Sequence, residues 1–369
     1  MPKRILVAPL NWGLGHATRC IPIIRELQKQ GAEVVLASDG RALALLRQEF
    51  PALTAIVLPG YNIHYPGANM ILNMTRQLPG ILWAACRETQ AARQLVTRHE
   101  ISGIISDNRY GCHSRVVRSV FITHQLNIKV AKSGCPTPGH SPASSFLLEK
   151  IANRFNRRYL RRFDECWIPD VEGEPNLSGE LGHSQAGEEP GSFKYIGALS
   201  RMHNFEVPRK YDAIAVLSGP EPQRSYLEKE IIGQARRLPF RFLVVQGKTE
   251  TMVRQFIEKN IEVVSHLASE ELNNALLASG VFIGRSGYSS IMDLAKTGRP
   301  AILIPTPGQT EQEYLAARFS RQGVFCVQEQ GHLDLAEGLK EANRCPGLSP
   351  AFFDGGLLEQ VVSDFLAKL

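Results

Sequence analysis

The chain has 369 residues, of which 43% are hydrophobic and 21% are charged, and its formal net charge is +6. This length exceeds the usual size of one hydrophobic core and favours two domains. The modest positive charge suits an acidic ligand or an anionic membrane surface and gives no support for nucleic-acid binding. No apolar run approaches the roughly 20 residues that cross a bilayer. The seven cysteines are scattered without Cys-x-x-Cys spacing, so we expect a cytoplasmic protein with reduced thiols and no metal site.

Short β-rich runs alternate with helical patterns along both halves of the chain. In the first half the predicted strands cover 3–8, 33–37, 54–58, 103–106, 119–123, 165–169 and 194–196. After a polar stretch the pattern begins again, with predicted strands over 212–217, 241–246, 261–264, 281–283, 301–304 and 324–327. Such alternation is typical of a parallel, doubly wound sheet. We predict an α/β protein with two Rossmann-like, doubly wound domains over 1–204 and 205–350, followed by a closing helix over 351–369.

A glycine-containing turn follows the first predicted strand. Gly13 and Gly15 precede His16 and an amphipathic helix. Glycines let a backbone approach an anion at a helix N-terminus, but the dinucleotide fingerprint is incomplete because its third glycine is missing. Histidine is a general base suited to neutral pH, so we predict His16 as the catalytic base. A histidine that caps the helix or bonds to the loop is the structural alternative.

Two turns in the second half are candidates for binding a nucleotide diphosphate, because each follows a predicted strand and contains small residues. The first contains Ser218 and Gly219. The second contains Arg285, Ser286 and Gly287 and leads into a helix that carries Tyr288 and, about two turns in, Asp293. We expect Ser286 to cap that helix, Gly287 to let a phosphate approach, and Asp293 to accept the diol of a ribose. An ordinary strand-turn-helix with a solvated aspartate is the alternative.

A third turn, rich in proline, follows the strand predicted over 301–304. It presents Glu311, Gln312 and Glu313 together at the start of a helix. Neighbouring amides and carboxylates are groups that bind sugar hydroxyls, so we predict that these residues contact a donor sugar. The alternative is a polar first turn that interacts favourably with the helix dipole.

The order of these motifs resembles the MurG-like, family 28 type of GT-B glycosyltransferases, which use UDP-N-acetylglucosamine. The resemblance is carried by Arg285-Ser286-Gly287 with Asp293, by the segment 298–305, and by Gln312-Glu313-Tyr314. It implies two Rossmann-like domains facing each other across a cleft, with Asp293 binding the ribose where the family has glutamate. Glu313 replaces the second of two glutamines. His266 and Leu267 match the family's uracil-contacting turn, which implies a uridine nucleotide.

The first half carries the acceptor side of this resemblance. Gly13, Gly15 and His16 correspond to the family's glycine-rich loop, and the loop after the fourth predicted strand begins with Asp107, Asn108 and Arg109. His124 opens a segment similar to an acceptor-side His-Glu-Gln-Asn motif, from which Gln125 departs. The departures favour a related transferase with another acceptor, either lipid-linked or a cell-envelope glycan.

The resemblance also implies a mechanism. The UDP-sugar is a co-substrate, and no cofactor and no metal ion are needed. The diphosphate charge is met by backbone N–H groups, a helix N-terminus and Arg285. His16 takes the proton of the acceptor hydroxyl, and direct displacement inverts the anomeric centre. Two alternatives stay open at this stage, a UDP-sugar 2-epimerase of the same architecture and a non-catalytic nucleotide-sugar-binding subunit.

A basic amphipathic helix is predicted over 146–163. Its apolar side chains share one side and are Leu148, Ile151, Ala152, Phe155, Tyr159 and Phe163. Five arginines crowd the rest, at positions 154, 157, 158, 161 and 162. Such a helix can lie on anionic lipid at the cytoplasmic face of a membrane or pack its apolar side into the core. Both can hold at once, with the arginines directed toward headgroups.

Overall fold

The computed structural model describes residues 2–61, 70–129, 142–183, 192–249, 253–353 and 356–369. The chain divides into two compact units, one made of Met1–Leu199 with Phe352–Leu369 and the other of Ser200–Ala351. In the residues that the structure describes, each unit contains one seven-stranded sheet with helices between its strands. The predicted α/β class with two doubly wound domains is therefore confirmed. The chain leaves the first unit after Leu199, where the sequence predicted residue 204, and its closing helix belongs to the first unit.

The first unit contains a parallel sheet in the order β3-β2-β1-β4-β5-β6-β7. Its strands are β1 (Arg4–Pro9), β2 (Glu33–Ser38), β3 (Ala55–Val57), β4 (Gly103–Asp107), β5 (Arg118–Ile122), β6 (Glu165–Ile168) and β7 (Ser192–Tyr195). Its helices are α1 (Gly15–Lys29), α2 (Gly40–Glu49), α3 (Met70–Arg98), α4 (Pro142–Leu160) and, at the end of the chain, α10 (Leu357–Ala367).

The second unit contains a sheet in the order β10-β11-β9-β8-β12-β13-β14. Its strands are β8 (Tyr211–Val216), β9 (Phe242–Val245), β10 (Arg254–Glu258), β11 (Ile261–Val264), β12 (Ser279–Gly284), β13 (Ala301–Leu303) and β14 (Cys326–Val327). Its helices are α5 (Gln223–Ala235), α6 (Ser269–Leu277), α7 (Tyr288–Thr297), α8 (Thr310–Arg321) and α9 (Leu335–Ala342). All pairings are parallel except that of the edge strand β10 with β11.

Among their parallel strands, both sheets reverse the strand order at one point. In the first unit the reversal lies between β1 and β4, and in the second it lies between β8 and β12. Open α/β sheets bind ligands in the crevice outside the carboxyl ends of the strands at such a switch point. The turn containing Gly13 follows β1, and Asp107 ends β4. In the second unit the turns containing Ser218 and Arg285 follow β8 and β12, so the predicted site residues lie where the topology favours binding.

The closing helix α10 is held in the first unit by specific contacts. Glu165 of β6 is 3% exposed and accepts a hydrogen bond from Lys368 Nζ at 2.7 Å. The rings of Trp167 and Phe365 meet edge to face with centroids 5.6 Å apart. On α1, Gln30 Nε2 donates to the carbonyl oxygen of Glu359 at 2.9 Å. Apolar packing and a buried carboxylate together fix the last helix to the sheet of the first unit.

Candidate active site

In the first unit, the switch point brings His16 to Asp107. Gly13 has a φ of +74°, which favours glycine, and α1 begins at Gly15. Nδ1 of His16 lies 2.7 Å from Oδ1 of Asp107, whose side chain is fully buried. The sequence predicted both residues for the site without predicting their contact. An ionised Asp107 accepts the Nδ1 proton, which leaves Nε2 as the basic nitrogen of His16.

Arg19 keeps Asp107 ionised. Its guanidinium is 2% exposed and donates to both carboxylate oxygens of Asp107. Burial raises the pKa of Asp107, but Arg19 and His16 outweigh this effect and hold the pKa at about 2. The thiol of Cys20 also donates to this carboxylate, with Sγ and Oδ2 3.6 Å apart. Arg19 therefore orients the carboxylate behind the predicted base.

The same arginine reaches the predicted acceptor-side segment after β5. Nη1 of Arg19 lies 2.8 Å from Nδ1 of His124, which is 3% exposed. His16, Asp107, Arg19 and His124 thus form one polar network at the switch point. Gln125 follows directly, and its carbonyl oxygen accepts a hydrogen bond from an asparagine of α4 at 3.1 Å. Contact of Gln125 with an acceptor stays a prediction.

Arg109 makes contacts within the protein through its whole guanidinium. It is fully buried, and it donates to Glu88 of α3, to Oδ1 of Asp39 at 2.8 Å and to the carbonyl oxygen of Pro59 at 2.7 Å. Asn108 beside it adopts a φ of 55° at the end of β4. All three guanidinium nitrogens of Arg109 have acceptors within the protein and support these loops, and its contact with a sugar acceptor stays a prediction.

In the second unit, turns follow β8, β12 and β13 at the same edge of the sheet. Ser218 is exposed in the first turn, and Gly219 beside it has a φ of +100°. A Cβ at Gly219 would lie 3.9 Å from Oγ1 of Thr306, in the turn after β13. The first and third turns therefore approach each other beside the loop that follows β12, and the glycine of the first turn lets an anion approach its backbone.

Arg285 holds these turns together, while its predicted contact with the diphosphate stays a prediction. Its side chain is 1% exposed. Nη2 donates to the carbonyl oxygen of Gln223 at 2.9 Å and to Oε1 of Gln330 at 2.6 Å. Nη1 donates to the carbonyl oxygens of Ile304 and Pro305, each at 3.2 Å. The guanidinium thus links the turns after β8, β12 and β13 and is directed at the protein.

The N-terminus of α7 is organised differently from the prediction. Its N-cap is Gly287, which has no side chain for capping, so the expected cap by Ser286 is wrong. Ser286 Oγ instead donates to the carbonyl oxygen of Gln312 at 2.8 Å. The N–H of Tyr288 lies 3.4 Å from Oε1 of Glu311. A carboxylate therefore stands at the positive end of α7, where the sequence predicted the diphosphate.

The remaining predicted donor-sugar residues hold the loop between β13 and α8. Oε1 of Gln312 accepts a hydrogen bond from the N–H of Thr306 at 2.8 Å, and Oε1 of Glu313 accepts one from the N–H of Gly308 at 2.8 Å. These contacts fix the shape of the loop through its own side chains. Binding of a sugar by the two residues stays a prediction.

The predicted nucleoside-binding residues lie on α7 and in the turn between β11 and α6. Asp293 is partly buried, and its Oδ1 accepts a hydrogen bond from Ser200 Oγ at 2.6 Å. Burial raises the pKa of Asp293 to about 6, although Arg201 and Ser200 act in the opposite direction. His266 and Leu267 follow β11 at the carboxyl edge of the sheet, with Leu267 6% exposed. Their contact with a base stays a prediction.

The described part of the basic helix α4 carries both apolar and basic exposed side chains. Tyr159 and Phe163 are buried as the amphipathic pattern predicts, but Ile151 is 57% exposed and Phe155 is 36% exposed. The apolar side therefore packs inward only toward the C-terminal end of the helix. Arg154 and several neighbouring cations are also exposed. The side chains of 142–148, including predicted Leu148, lie outside the described residues.

Several residues of these sites were missed by sequence reasoning, and they share a supporting role: Arg19, Glu88, Ser200 and Thr306. The signal for Arg19 was present, because it lies four residues before a buried isoleucine on the apolar side of α1. A charged residue at such a position needs a buried partner. For Ser200 the sequence offers no comparable signal, since its partner lies 93 residues away.

Two general features of the described ranges bear on function. No helix there is both long and apolar enough to span a bilayer. The same residues contain no group of three or more histidine, cysteine, aspartate or glutamate side chains arranged to hold a metal ion.

Comparison with known proteins agrees with this geometry. Residues 224–346 match the glycosyltransferase family 28 C-terminal domain. An uncharacterised glycosyltransferase of Methanopyrus kandleri is 21% identical, over 86% of this chain and 91% of its own length. The UDP-N-acetylglucosamine–N-acetylmuramyl-(pentapeptide) pyrophosphoryl-undecaprenol N-acetylglucosamine transferase of Acidiphilium cryptum is 24% identical, over 88% of this chain and 82% of its own.

Solved structures show the same fold over the full chain. MurG of Acinetobacter baumannii superposes with a TM-score of 0.53 and 12% identity, covering all of both chains. The spinosyn rhamnosyltransferase SpnG, solved with thymidine diphosphate, gives a TM-score of 0.56 and 16% identity over 99% of this chain and 96% of its own. The two switch-point sites, the matching C-terminal domain and the relatives point the same way: this chain is a GT-B-fold glycosyltransferase that resembles the MurG-like, family 28 type of UDP-N-acetylglucosamine transferases.

Proposed function

We propose that this glycosyltransferase moves a hexose or N-acetylhexosamine, with N-acetylglucosamine the first choice, from its UDP derivative to an acceptor hydroxyl. The observation that carries the proposal is the pair formed by His16 and Asp107 at the switch point of the first unit, with Nδ1 and Oδ1 2.7 Å apart. A histidine oriented by a buried carboxylate is a general base for removing a proton from a hydroxyl group.

The uridine part of the proposal rests on the second unit. Asp293 can accept hydrogen bonds from the 2′- and 3′-hydroxyls of a ribose, and His266 with Leu267 occupies the turn that contacts uracil in the resembling family. The Acidiphilium relative is named for a UDP-sugar substrate, which supports the same choice. SpnG was solved with thymidine diphosphate, a nucleotide whose deoxyribose has no 2′-hydroxyl for Asp293. Binding of thymidine diphosphate is therefore the informative comparison with binding of UDP.

The proposed reaction is a direct displacement. The acceptor oxygen forms a bond to the anomeric carbon while its proton passes to Nε2 of His16. The bond between that carbon and the β-phosphate oxygen breaks, and the electron pair leaves with UDP. The small-residue turn at Gly219 presents backbone N–H groups to the diphosphate, so the added charge is met without a metal ion or cofactor. Attack opposite to the leaving group inverts the anomeric centre.

The acceptor is proposed to be lipid-linked or a cell-envelope glycan, presented at the cytoplasmic face of a membrane. The name of the Acidiphilium relative contains a pyrophosphoryl-undecaprenol acceptor. In this chain, Ile151 and Phe155 are exposed on a helix that also exposes Lys150, Arg154 and Arg158. Apolar side chains between cations suit the boundary between headgroups and acyl chains of an anionic bilayer.

The test is transfer of labelled sugar from UDP-N-acetylglucosamine into a bacterial lipid extract, with and without EDTA. We expect transfer that EDTA leaves unchanged and that His16→Ala removes, while UDP binding by His16→Ala stays within about twofold. His332→Ala, at an exposed histidine, is the control. Conversion of the donor without any acceptor would indicate an epimerase, and unchanged transfer by His16→Ala would overturn the proposed base.

A further inference from the structure

The segment 200–203, which opens the second unit, contacts two parts of the proposed nucleotide site. Ser200 Oγ donates to Oδ1 of Asp293 on α7 at 2.6 Å. Nη1 of Arg201 donates to Oγ of Ser269 at 2.9 Å, in the first turn of α6. The N–H of His203 donates to an asparagine side chain of the same helix at 3.0 Å. The segment therefore joins the predicted ribose carboxylate to the helix that follows the predicted uracil turn.

The Ser200 hydroxyl is fixed in its direction. Its oxygen accepts a hydrogen bond from the N–H of Met202 at 3.0 Å, and Met202 is 1% exposed. A hydroxyl group has one proton and two acceptor lone pairs. Because Met202 occupies the acceptor side, the single proton of Ser200 is directed at the carboxylate of Asp293. A donor aimed at a carboxylate stabilises its ionised form and fixes its rotamer.

We propose that Ser200 is a positioning residue of the donor site, which holds Asp293 ionised and oriented for the ribose diol of the nucleotide. Arg201, buried beside it at 7% exposure, supplies a positive charge to the same carboxylate. The inference rests on the proposed function of Asp293 as the ribose ligand. It extends that function by naming the group that makes a partly buried aspartate an acceptor at neutral pH.

The electrostatic balance at Asp293 makes this role measurable. Burial raises the pKa of Asp293 to about 6, and the two groups that oppose burial are Arg201, through its charge, and Ser200, through its hydrogen bond. Lys296 lies on the same helix and is partly exposed. Removal of the hydroxyl therefore raises the pKa further, and a larger fraction of Asp293 is protonated in weakly acidic solution. A protonated carboxyl cannot accept both hydroxyls of a ribose.

The experiment measures the dissociation constant of UDP by calorimetry between pH 5.5 and 8.5. At each pH the variant is compared with the wild type, so that titration of UDP itself cancels. For Ser200→Ala we expect binding within about twofold of the wild type at pH 8.5 and about five- to tenfold weaker at pH 5.5–6, because more of Asp293 is protonated there. Ser200→Thr, which keeps the hydroxyl, and Ser320→Ala, at an exposed site on α8, should follow the wild type.

Asp293→Asn separates this inference from the proposed function. If Asp293→Asn binds UDP as the wild type does, the ribose role of Asp293 fails and the role of Ser200 falls with it. If Asp293→Asn weakens UDP binding but Ser200→Ala keeps the wild-type pH profile, only the Ser200 inference is overturned. An equal loss at every pH in Ser200→Ala would also overturn it, since that result describes a merely structural contact. The inference is supported if Ser200→Ala loses UDP affinity only in weakly acidic solution and if this loss is absent when Ser200→Ala is combined with Asp293→Asn.

Discussion

Asp107→Asn is the change that tests the proposed catalytic pair most fully, because Asp107 acts on both His16 and Arg19. The carboxylate accepts the Nδ1 proton of His16 at 2.7 Å. An amide NH2 group in its place would donate to Nδ1 and move the proton of the imidazole to Nε2, where the acceptor hydroxyl must be deprotonated. A histidine in the wrong tautomer is a poor base, so we expect the transfer rate to fall about 10²–10⁴-fold.

The same substitution should reduce stability, because Arg19 is 2% exposed and would lose its charged partner. Removing one member of a buried ion pair costs about 3–5 kcal/mol. His16→Ala leaves the pair of Asp107 and Arg19 intact, and we expect it to lower the free energy of unfolding by less than about 1.5 kcal/mol. The two variants should therefore have similarly low transfer rates and clearly different urea midpoints.

The assay combines initial rates of UDP release, calorimetric UDP binding and urea unfolding for the wild type, His16→Ala and Asp107→Asn. UDP affinity should change by no more than about twofold in either variant, since the proposed nucleotide site lies in the second unit. A transfer rate of Asp107→Asn within about threefold of the wild type would refute the proposed role of Asp107 in orienting His16. Equal urea midpoints for the two variants would refute the assigned role of Arg19.

Three further predictions concern stability and surfaces. The pKa of Asp293 is about 6 in the folded protein against an ordinary 3.8, so its ionisation lowers the free energy of unfolding as the pH rises from about 4 to 6. Asp293→Asn removes this cost. We expect it to raise the free energy of unfolding in urea by about 1–2 kcal/mol at pH 7 and hardly at all at pH 4. Arg285→Lys cannot make the four hydrogen bonds that join the turns. We expect its free energy of unfolding in urea to fall by about 2–3 kcal/mol and its UDP binding by calorimetry to be roughly tenfold weaker. Wild-type values for both would contradict the role of Arg285 in joining the turns. Replacing Arg154 and Arg158 by glutamate should release the protein from vesicles containing phosphatidylserine by at least about 30-fold in sedimentation, with no effect on neutral vesicles; equal release from both would contradict the charged contact.

The fold was predictable because its signals are local. Strands such as β1 and β9 are continuous apolar runs buried on both faces, and each is followed by small or polar turn residues. Strand β10 was not predicted, because residues 254–258 lie at the sheet edge, carry charged or polar side chains at three positions and are mostly exposed. Its pairing with β11 is antiparallel and contains a bulge after Phe256, and neither property is visible in the local pattern.

The site was predictable as a set of positions, but its connections were not. His16 and Asp107 could each be placed at a strand end, yet 91 residues separate them in the chain. Their contact follows from β1 and β4 being neighbours in the sheet. For the same reason the sequence placed Arg285 on the diphosphate, although its guanidinium binds carbonyl groups on turns that only the folded sheet brings together.

Calorimetric titration with UDP and with thymidine diphosphate, for the wild type and Asp293→Ala, tests most directly the claim that the second unit binds a uridine diphosphate sugar. We expect the wild type to bind UDP at least about tenfold more tightly than thymidine diphosphate, because loss of one hydroxyl leaves the acceptor at Asp293 unmatched. Asp293→Ala should lose this preference together with most of its UDP affinity. Equal binding of both nucleotides by the wild type, or unaltered UDP affinity in Asp293→Ala, would contradict that claim.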